Sequence, residues 1–327
     1  MSASSDLPLY SPLTLAPILQ TRVWGGRRLA TLLGKTLPTA DPYGESWELY
    51  GESLITNGIH TGKTLNEAIA ADPLGMCGEA ASPQGDYGLL VKFLDTRAWL
   101  SVQVHPDDDW ARRLEGEPRG KTECWYVVAA EPEAQIAYGF AKQTDPTGFR
   151  TALAEGRAKD LLQFVPVAAG DFIFVPAGTI HALGAGLLIY ELQQSSDTTY
   201  RLWDWDRLGL DGKPRPLHLE KALQVTNFTP QPTAHSAYQT RAEVDFEVAV
   251  LCRSRFFNLT RWTVRGSRFF LESDRKERLL TCLEGQATVN AGAGNPLLIG
   301  KGQTVFIPAA LQTWGLHGDC TVLVAGR

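Results

Sequence analysis

The sequence predicts a mostly β protein made of two jelly-roll β-barrels with a few short helices inserted. Three observations carry this expectation. Short runs rich in Val, Ile and aromatic residues, separated by Gly, Pro and Asp turns, recur along most of the chain, which is the pattern of a sandwich or barrel. Helical periodicity is confined to a few short stretches. The segment Gly170–Ala177 (GDFIFVPA) returns as Gly302–Ala309 (GQTVFIPA) at a constant offset of 132 residues, and a repeated turn and strand of this kind implies two copies of one unit.

The predicted strands run, in order, over Leu89–Leu94, Leu100–Val104, Glu123–Val128, Phe172–Val175 and Leu187–Leu192, then Val248–Leu251, Leu259–Val264, Arg278–Leu283, Val305–Ile307 and Cys320–Val324. Four stretches have the apolar spacing and polar or acidic starts of helices: Thr64–Ala71, Asp107–Leu114, the region from Phe149 to Leu162, and Leu217–Val225. In the repeated segment, Gly suits the turn, the apolar run forms an inward strand, and Pro ends the ladder where no backbone donor is needed. A polar stretch containing Pro and Thr, Thr226–Ala242, suggests a boundary between a first domain at 1–230 and a second at 231–327.

Composition narrows the function. The chain has 327 residues, 44% of them hydrophobic, which suffices for a sizeable core. Its five cysteines are scattered without a CxxC pair, so neither a disulfide framework nor a thiolate zinc site is expected and a reducing, cytoplasmic setting fits. The first eighteen residues lack a basic start and carry three prolines, a poor secretory leader, and no stretch has the length of a membrane helix. A formal net charge of -5 gives no reason to expect nucleic acid or an anionic membrane as partner.

Metal-capable side chains gather on three of the strands. Gln103 and His105 stand two apart in SVQVHP, so on an extended strand both face one side. Lys121 and Glu123 repeat that spacing at the head of the strand that follows. His181 lies six residues beyond Val175, in the turn region after the repeated segment, and its counterpart in the second copy is Thr313. Two imidazoles, a carboxylate and an amide oxygen form a set that suits Zn2+ and tolerates other first-row divalent ions. A lone strand histidine is more often a hydrogen-bonded residue than a ligand. The shared faces and the proximity of His181 to a barrel motif favour the metal. Only the first unit would then hold it. The run from Tyr190 to Arg207 is polar and aromatic, with Arg201 and Arg207 its basic residues, and a guanidinium suits a phosphate or an enediolate oxygen.

The motifs LLVKFLD, LSVQVHPDD, GKTECWYVV and VPAGTIHALGAGLLIYELQQSSDTTYRLWDWDR, with the early VWGG and GESWE, closely resemble the type I mannose-6-phosphate isomerases of the cupin superfamily. The match is densest from Val23 to Arg207 and looks like the short bacterial subgroup, because the insert between Glu123 and His181 is small. The resemblance implies a two-cupin enzyme that interconverts mannose 6-phosphate and fructose 6-phosphate with one zinc ion per chain. Its metal ligands would fall on Gln103, His105, Glu123 and His181, its essential arginine on Arg201, and its active-site lysine and glutamate on Lys121 and Glu191. Ser101, Arg201 and Arg207 are candidates for gripping the phosphate. The base that moves the proton is left open between Glu191, Lys121 and a zinc-bound water. The partner would be a small sugar phosphate, and the chain a monomer or homodimer. Two rivals are an Fe(II) oxygenase built on the same two histidines and carboxylate, and a cupin that binds sugar phosphate without turning it over.

Overall fold

The computed structural model describes residues 10–82, 85–231, 234–271, 275–291, 296–311 and 313–327. The first nine residues of the leader reading, and two positions of the Thr226–Ala242 boundary stretch, lie outside these. The fold is mostly β, as expected, with six short α-helices among the described residues. Its strands form three sheets, which curve in cupin fashion without closing into complete barrels.

A six-stranded antiparallel sheet orders the strands Ile18–Gly26, Tyr43–Leu49, Leu89–Thr96, Leu187–Gln194, Glu123–Ala130 and Phe172–Val175. A five-stranded sheet orders Tyr200–Trp203, Val102–Val104, His181–Leu183, Gln135–Phe140 and Leu162–Pro166. Between them Trp125, Val127, Ile173 and Ile189 of the first sheet pack on Ile136, Tyr138 and Leu183 of the second. The outer side of the five-stranded sheet is apolar too. There Val102, Val104, Ala182 and Leu202 pack with Phe149, Ala222 and Leu223 from the helices Pro146–Ala154 and Leu219–Val225.

The third sheet has ten strands and holds the second copy of the repeat. Its interior is lined by Val264, Leu280, Val305, Ile307, Trp314 and Val322. Its other face packs Leu251, Leu259, Leu279, Phe306 and Leu323 against Val91, Phe93 and Leu192 of the six-stranded sheet. The alternation along Arg278–Ala291 supplies both clusters, since successive strand residues point to opposite faces. The short strand Leu13–Thr14 adds itself to this sheet beside Thr304–Ile307, in the register Leu13↔Phe306.

One predicted helix is shorter than its pattern. The stretch from Phe149 to Leu162 divides into the helix Pro146–Ala154, a left-handed Gly156 at φ 70°, a single 3-10 turn at Ala158–Leu161, and the strand Leu162–Pro166. Glycine adopts that φ without a Cβ clash, so the helix stops there. Asp145 caps its start by accepting from the Gly148 amide at 2.7 Å. No helix among the described residues is long and apolar enough to cross a membrane.

Candidate metal centre and sugar-phosphate cavity

Strand register assembles the site. In the five-stranded sheet Gln103 pairs with His181 on one side and with Arg201 on the other, so these three side chains share a row. Val102 and Val104 turn to the outer core, which leaves Gln103 facing the facing sheet. On that sheet Glu123 lies beside Gln193, and Glu191 beside Lys92. Gly120 lets the chain enter the strand. A Cβ there would meet the backbone of Pro106 and Asp107 at 2.3–2.4 Å, and the close pass brings the Lys121 amide to the Pro106 carbonyl at 2.9 Å.

His105, Glu123 and His181 are each 1% exposed, and ligand atoms of the three lie within 4.8 Å of one another. His105 Nδ1 is 3.0 Å from the Thr198 carbonyl and His181 Nδ1 is 2.9 Å from the Thr179 carbonyl. A carbonyl only accepts, so each Nδ1 carries the proton and each Nε2 presents a lone pair. Those Nε2 atoms face Glu123, His105 at 3.5 Å from Oε2 and His181 at 3.3 Å from Oε1. His105 Nε2 and both Glu123 oxygens are buried without a directed hydrogen bond. Such groups are costly to leave unmatched, and two imidazole nitrogens with a carboxylate match a divalent cation. The residues therefore fit a metal.

Electrostatics agree. Burial, with Lys121 and His181 adding to it, holds His105 well below the usual histidine range, and burial pushes His181 down to about 4. Both rings are neutral, as ligation requires. Burial and the nearby Glu191 push Glu123 up to about 7, with Lys121 and Lys92 opposing the rise. Lys121 Nζ stands 3.2 Å from Glu123 Oε2. Burial works against its charge, but Glu123 and Glu191 outweigh that and raise it, so Lys121 is an ammonium.

Gln103 and Lys121, which contact His181 and Glu123, line a cavity of about 400 Å³ together with Ser101, Glu191 and Arg201, and also Arg22, Glu45, Lys92, Asp197, Thr199 and Arg215. Glu191 accepts from the Trp125 indole at 3.0 Å and pairs with Lys92 at 3.2 Å. Glu45, 3.8 Å from Lys92, is held by Arg22 and by the Trp47 indole, each at 2.7 Å. Arg201 Nε donates to Ser101 Oγ at 3.2 Å and Arg201 Nη1 to the Pro216 carbonyl at 2.9 Å. Gln103 directs its amide nitrogen to His181 Nε2 at 3.3 Å and its oxygen to Ser101 Oγ, also at 3.3 Å. Arg207 is placed differently from the other candidates. It binds Asp204 and the Trp99 carbonyl, whereas Arg215, which also grips Asp204 at 2.6 Å, lines the cavity.

Lys92, Glu45, Arg22 and Arg215 escaped the sequence reading. Lys92 had a signal, since a lysine in the apolar strand LLVKFLD needs a buried partner. Glu45 sits in the GESWE motif already noted, but its partners come from strands distant in sequence.

Fold and site define a double-cupin protein with a buried His–Glu–His centre next to a polar cavity that Arg22, Arg201 and Arg215 line. Residues 13–143 match the profile of the phosphomannose isomerase type I catalytic domain, and residues 248–326 that of the mannose-6-phosphate isomerase cupin domain. The mannose-6-phosphate isomerase of Streptococcus mutans is 36% identical over 97% of this chain and 98% of its own. The ManA isomerase of Bacillus subtilis is 35% identical over 96% and 98%. A crystal structure of the Bacillus subtilis mannose 6-phosphate isomerase superposes with a TM-score of 0.88 at 30% identity, covering 96% of this chain and 99% of that one. The chain belongs to the type I phosphomannose isomerase family.

Proposed function

We propose that this protein interconverts mannose 6-phosphate and fructose 6-phosphate through an enediol, with one zinc ion held by His105, Glu123, His181 and Gln103. The observation that carries the reading is the buried His105–Glu123–His181 cluster, with His105 Nε2 and both Glu123 oxygens unmatched, linked through Gln103 and Lys121 to a cavity with cationic walls. Bound zinc supplies Lewis-acid polarisation of sugar oxygens. Gln103 joins the ligand set when its amide turns its oxygen toward His181.

The reaction moves a proton between C1 and C2, so the site needs a base and a cationic cradle for the oxygen that gains charge. Glu191 is the base on this reading: its carboxylate lines the cavity and is oriented by the Trp125 indole and Lys92. Lys121, already an ammonium, stabilises the enediolate oxygen together with Arg201. Arg207 and Arg215 bind Asp204, and Arg201 adds a third cation within its electrostatic reach, three cations to one carboxylate. That excess positive charge at the rim suits a phosphate dianion, with Ser101 and Arg201 touching it and Arg207 holding Asp204 in place. Arg201 fits poorly with an oxygenase or a passive binder, neither of which needs a guanidinium in one row with two metal ligands.

The first domain, 1–230, would carry all of this chemistry and the second, 231–327, none. Five free cysteines are compatible with a cytoplasmic setting. The test is fructose 6-phosphate formation from mannose 6-phosphate, measured before chelation, after it, and with zinc restored. Activity should vanish and return. A zinc-loaded protein that binds mannose 6-phosphate and leaves it unchanged would instead support the passive-binding alternative.

A further inference from the structure

The strand Tyr200–Trp203 ends the order of the five-stranded sheet, with Arg201 paired to Gln103 on its inner side. An end strand must find partners for its outward backbone groups elsewhere. The segment Pro216–His218, returning after Arg215, supplies them by meeting Arg201 at both its backbone and its side chain. The His218 amide donates to the Arg201 carbonyl at 2.7 Å, and the Arg201 amide donates to His218 Nδ1 at 3.2 Å. The Arg201 guanidinium donates through Nη1 to the Pro216 carbonyl at 2.9 Å.

An amide N–H only donates, so His218 Nδ1 carries the lone pair and Nε2 the proton. This is the reverse of His105 and His181, whose Nδ1 atoms face carbonyls. A second proton on His218 would set N–H against N–H and break the bond. Pro216 lies two residues before His218, so its carbonyl would leave with the ring, and the guanidinium would keep only Ser101 of its present partners.

The charges around the ring come from three elements. Arg201 on the strand and Lys221 on the helix Leu219–Val225 oppose a further positive charge, while Glu115 at the end of the helix Asp108–Glu115 favours it. Glu115 is shared with Lys221 Nζ at 2.8 Å and the Tyr200 hydroxyl at 2.7 Å, and the Tyr200 ring stands 6.3 Å from the imidazole. Burial first, then the two cations, hold His218 below the usual histidine range. A base depressed in this way keeps its folded contact in full above the ordinary value of about 6.5 and loses it as pH falls through the lower, folded value.

We infer that His218 is a positioning residue for the isomerisation: its Nδ1 lone pair and the neighbouring Pro216 carbonyl hold Arg201 in the row with Gln103 and His181, and a second proton on the ring releases that hold. The inference rests on the role given to Arg201 above.

The test is kcat/KM for mannose 6-phosphate, which reports ionisations of the free enzyme, in the zinc-loaded parent, His218→Ala and His218→Asn. Ratios taken at each pH, with zinc content equal across the three, cancel the ionisation of the substrate and of groups common to all. At about pH 8 His218→Ala should be about tenfold slower than the parent, the scale of one lost hydrogen bond, and the gap should close by about pH 5. Asn offers an acceptor oxygen in place of Nδ1 and takes no proton, so His218→Asn should match the parent at the higher pH and exceed it at the lower. A histidine that only packs would give the same ratios at every pH. A second readout is independent of turnover: in 15N-labelled protein the Arg201 amide resonance should move with the His218 ring titration, and should not do so in His218→Ala. A parent-to-Ala ratio constant with pH, or an Arg201 amide that ignores the ring, overturns the inference. A parent without turnover whose Arg201 amide follows the ring would instead overturn the isomerase reading and keep His218 as the group that positions Arg201.

Discussion

His181 and His105 offer their Nε2 lone pairs because backbone carbonyls hold their Nδ1 protons. Replacing either with Ala should release metal and activity together, with metal content by mass or absorption spectroscopy as the measurement; an Ala variant retaining full metal would remove that ligand from the site. Arg201→Ala should behave differently. Its guanidinium contacts Ser101 and Pro216 and none of the three buried metal-site residues, so the metal should stay bound while kcat falls at least about a hundredfold, the scale of losing one oriented electrostatic donor. An unchanged kcat would exclude it from the chemistry. The sequence made these positions readable for a simple reason: Gln103 with His105, and Lys121 with Glu123, stand two apart, and spacing on a strand decides which face they share. Lys92, Glu45 and Arg22 were not readable as a chain of alternating charges, because each neighbour in that chain belongs to a different strand and only register brings them together.

Among elements, the loop after Tyr200–Trp203 is organised by Asp204, 5% exposed and bonded to Arg207 and Arg215. Burial alone would raise its pKa, but the two guanidiniums outweigh that and hold it below the ordinary carboxylate value. A carboxylate depressed in this way stabilises the fold above its unfolded pKa and loses that contribution as pH falls through the folded value. Asp204→Asn should therefore cost about 2 kcal/mol at neutral pH, and the gap in melting temperature between variant and parent should close below about pH 4. A gap that stays constant with pH would mean packing, not charge, holds the loop. Most long strands were legible from composition alone. Short ones such as His181–Leu183 were not, since three residues give no alternation to read, and Gln135–Phe140 is interrupted by a left-handed Gly139 at φ 68°. The region from Phe149 to Leu162 read as one helix because its apolar spacing continues past Gly156, which ends it.

Across the whole molecule, the two units share a core and a buried polar clasp. Lys35 Nζ reaches Glu48 at 2.8 Å and the Gly302 carbonyl, in the turn of the second repeat, at 2.9 Å. Lys35→Ala leaves Glu48, 4% exposed, without its cation, and should cost about 3–5 kcal/mol. The double variant Lys35→Met/Glu48→Leu should recover much of that loss in denaturant unfolding, because it removes both charges at once. If the double variant is less stable than Lys35→Ala, the clasp contributes more than charge compensation. The two-unit plan was visible in the repeat, whereas the contact between units was not, since nothing in a linear pattern reports which outer faces meet.

The pairing of Leu13 with Phe306 has a consequence for how the molecule comes into being. During synthesis, the residues around Leu13 emerge long before their partner strand exists, so this sheet edge can close only once Thr304–Ile307 has been made. Contacts of such sequence separation are slow to form, and until then the edge at Thr304–Ile307, or its waiting partner, stands open to pairing with another chain. The making of Thr304–Ile307 therefore sets the moment at which this edge of the newborn protein stops being open to aggregation.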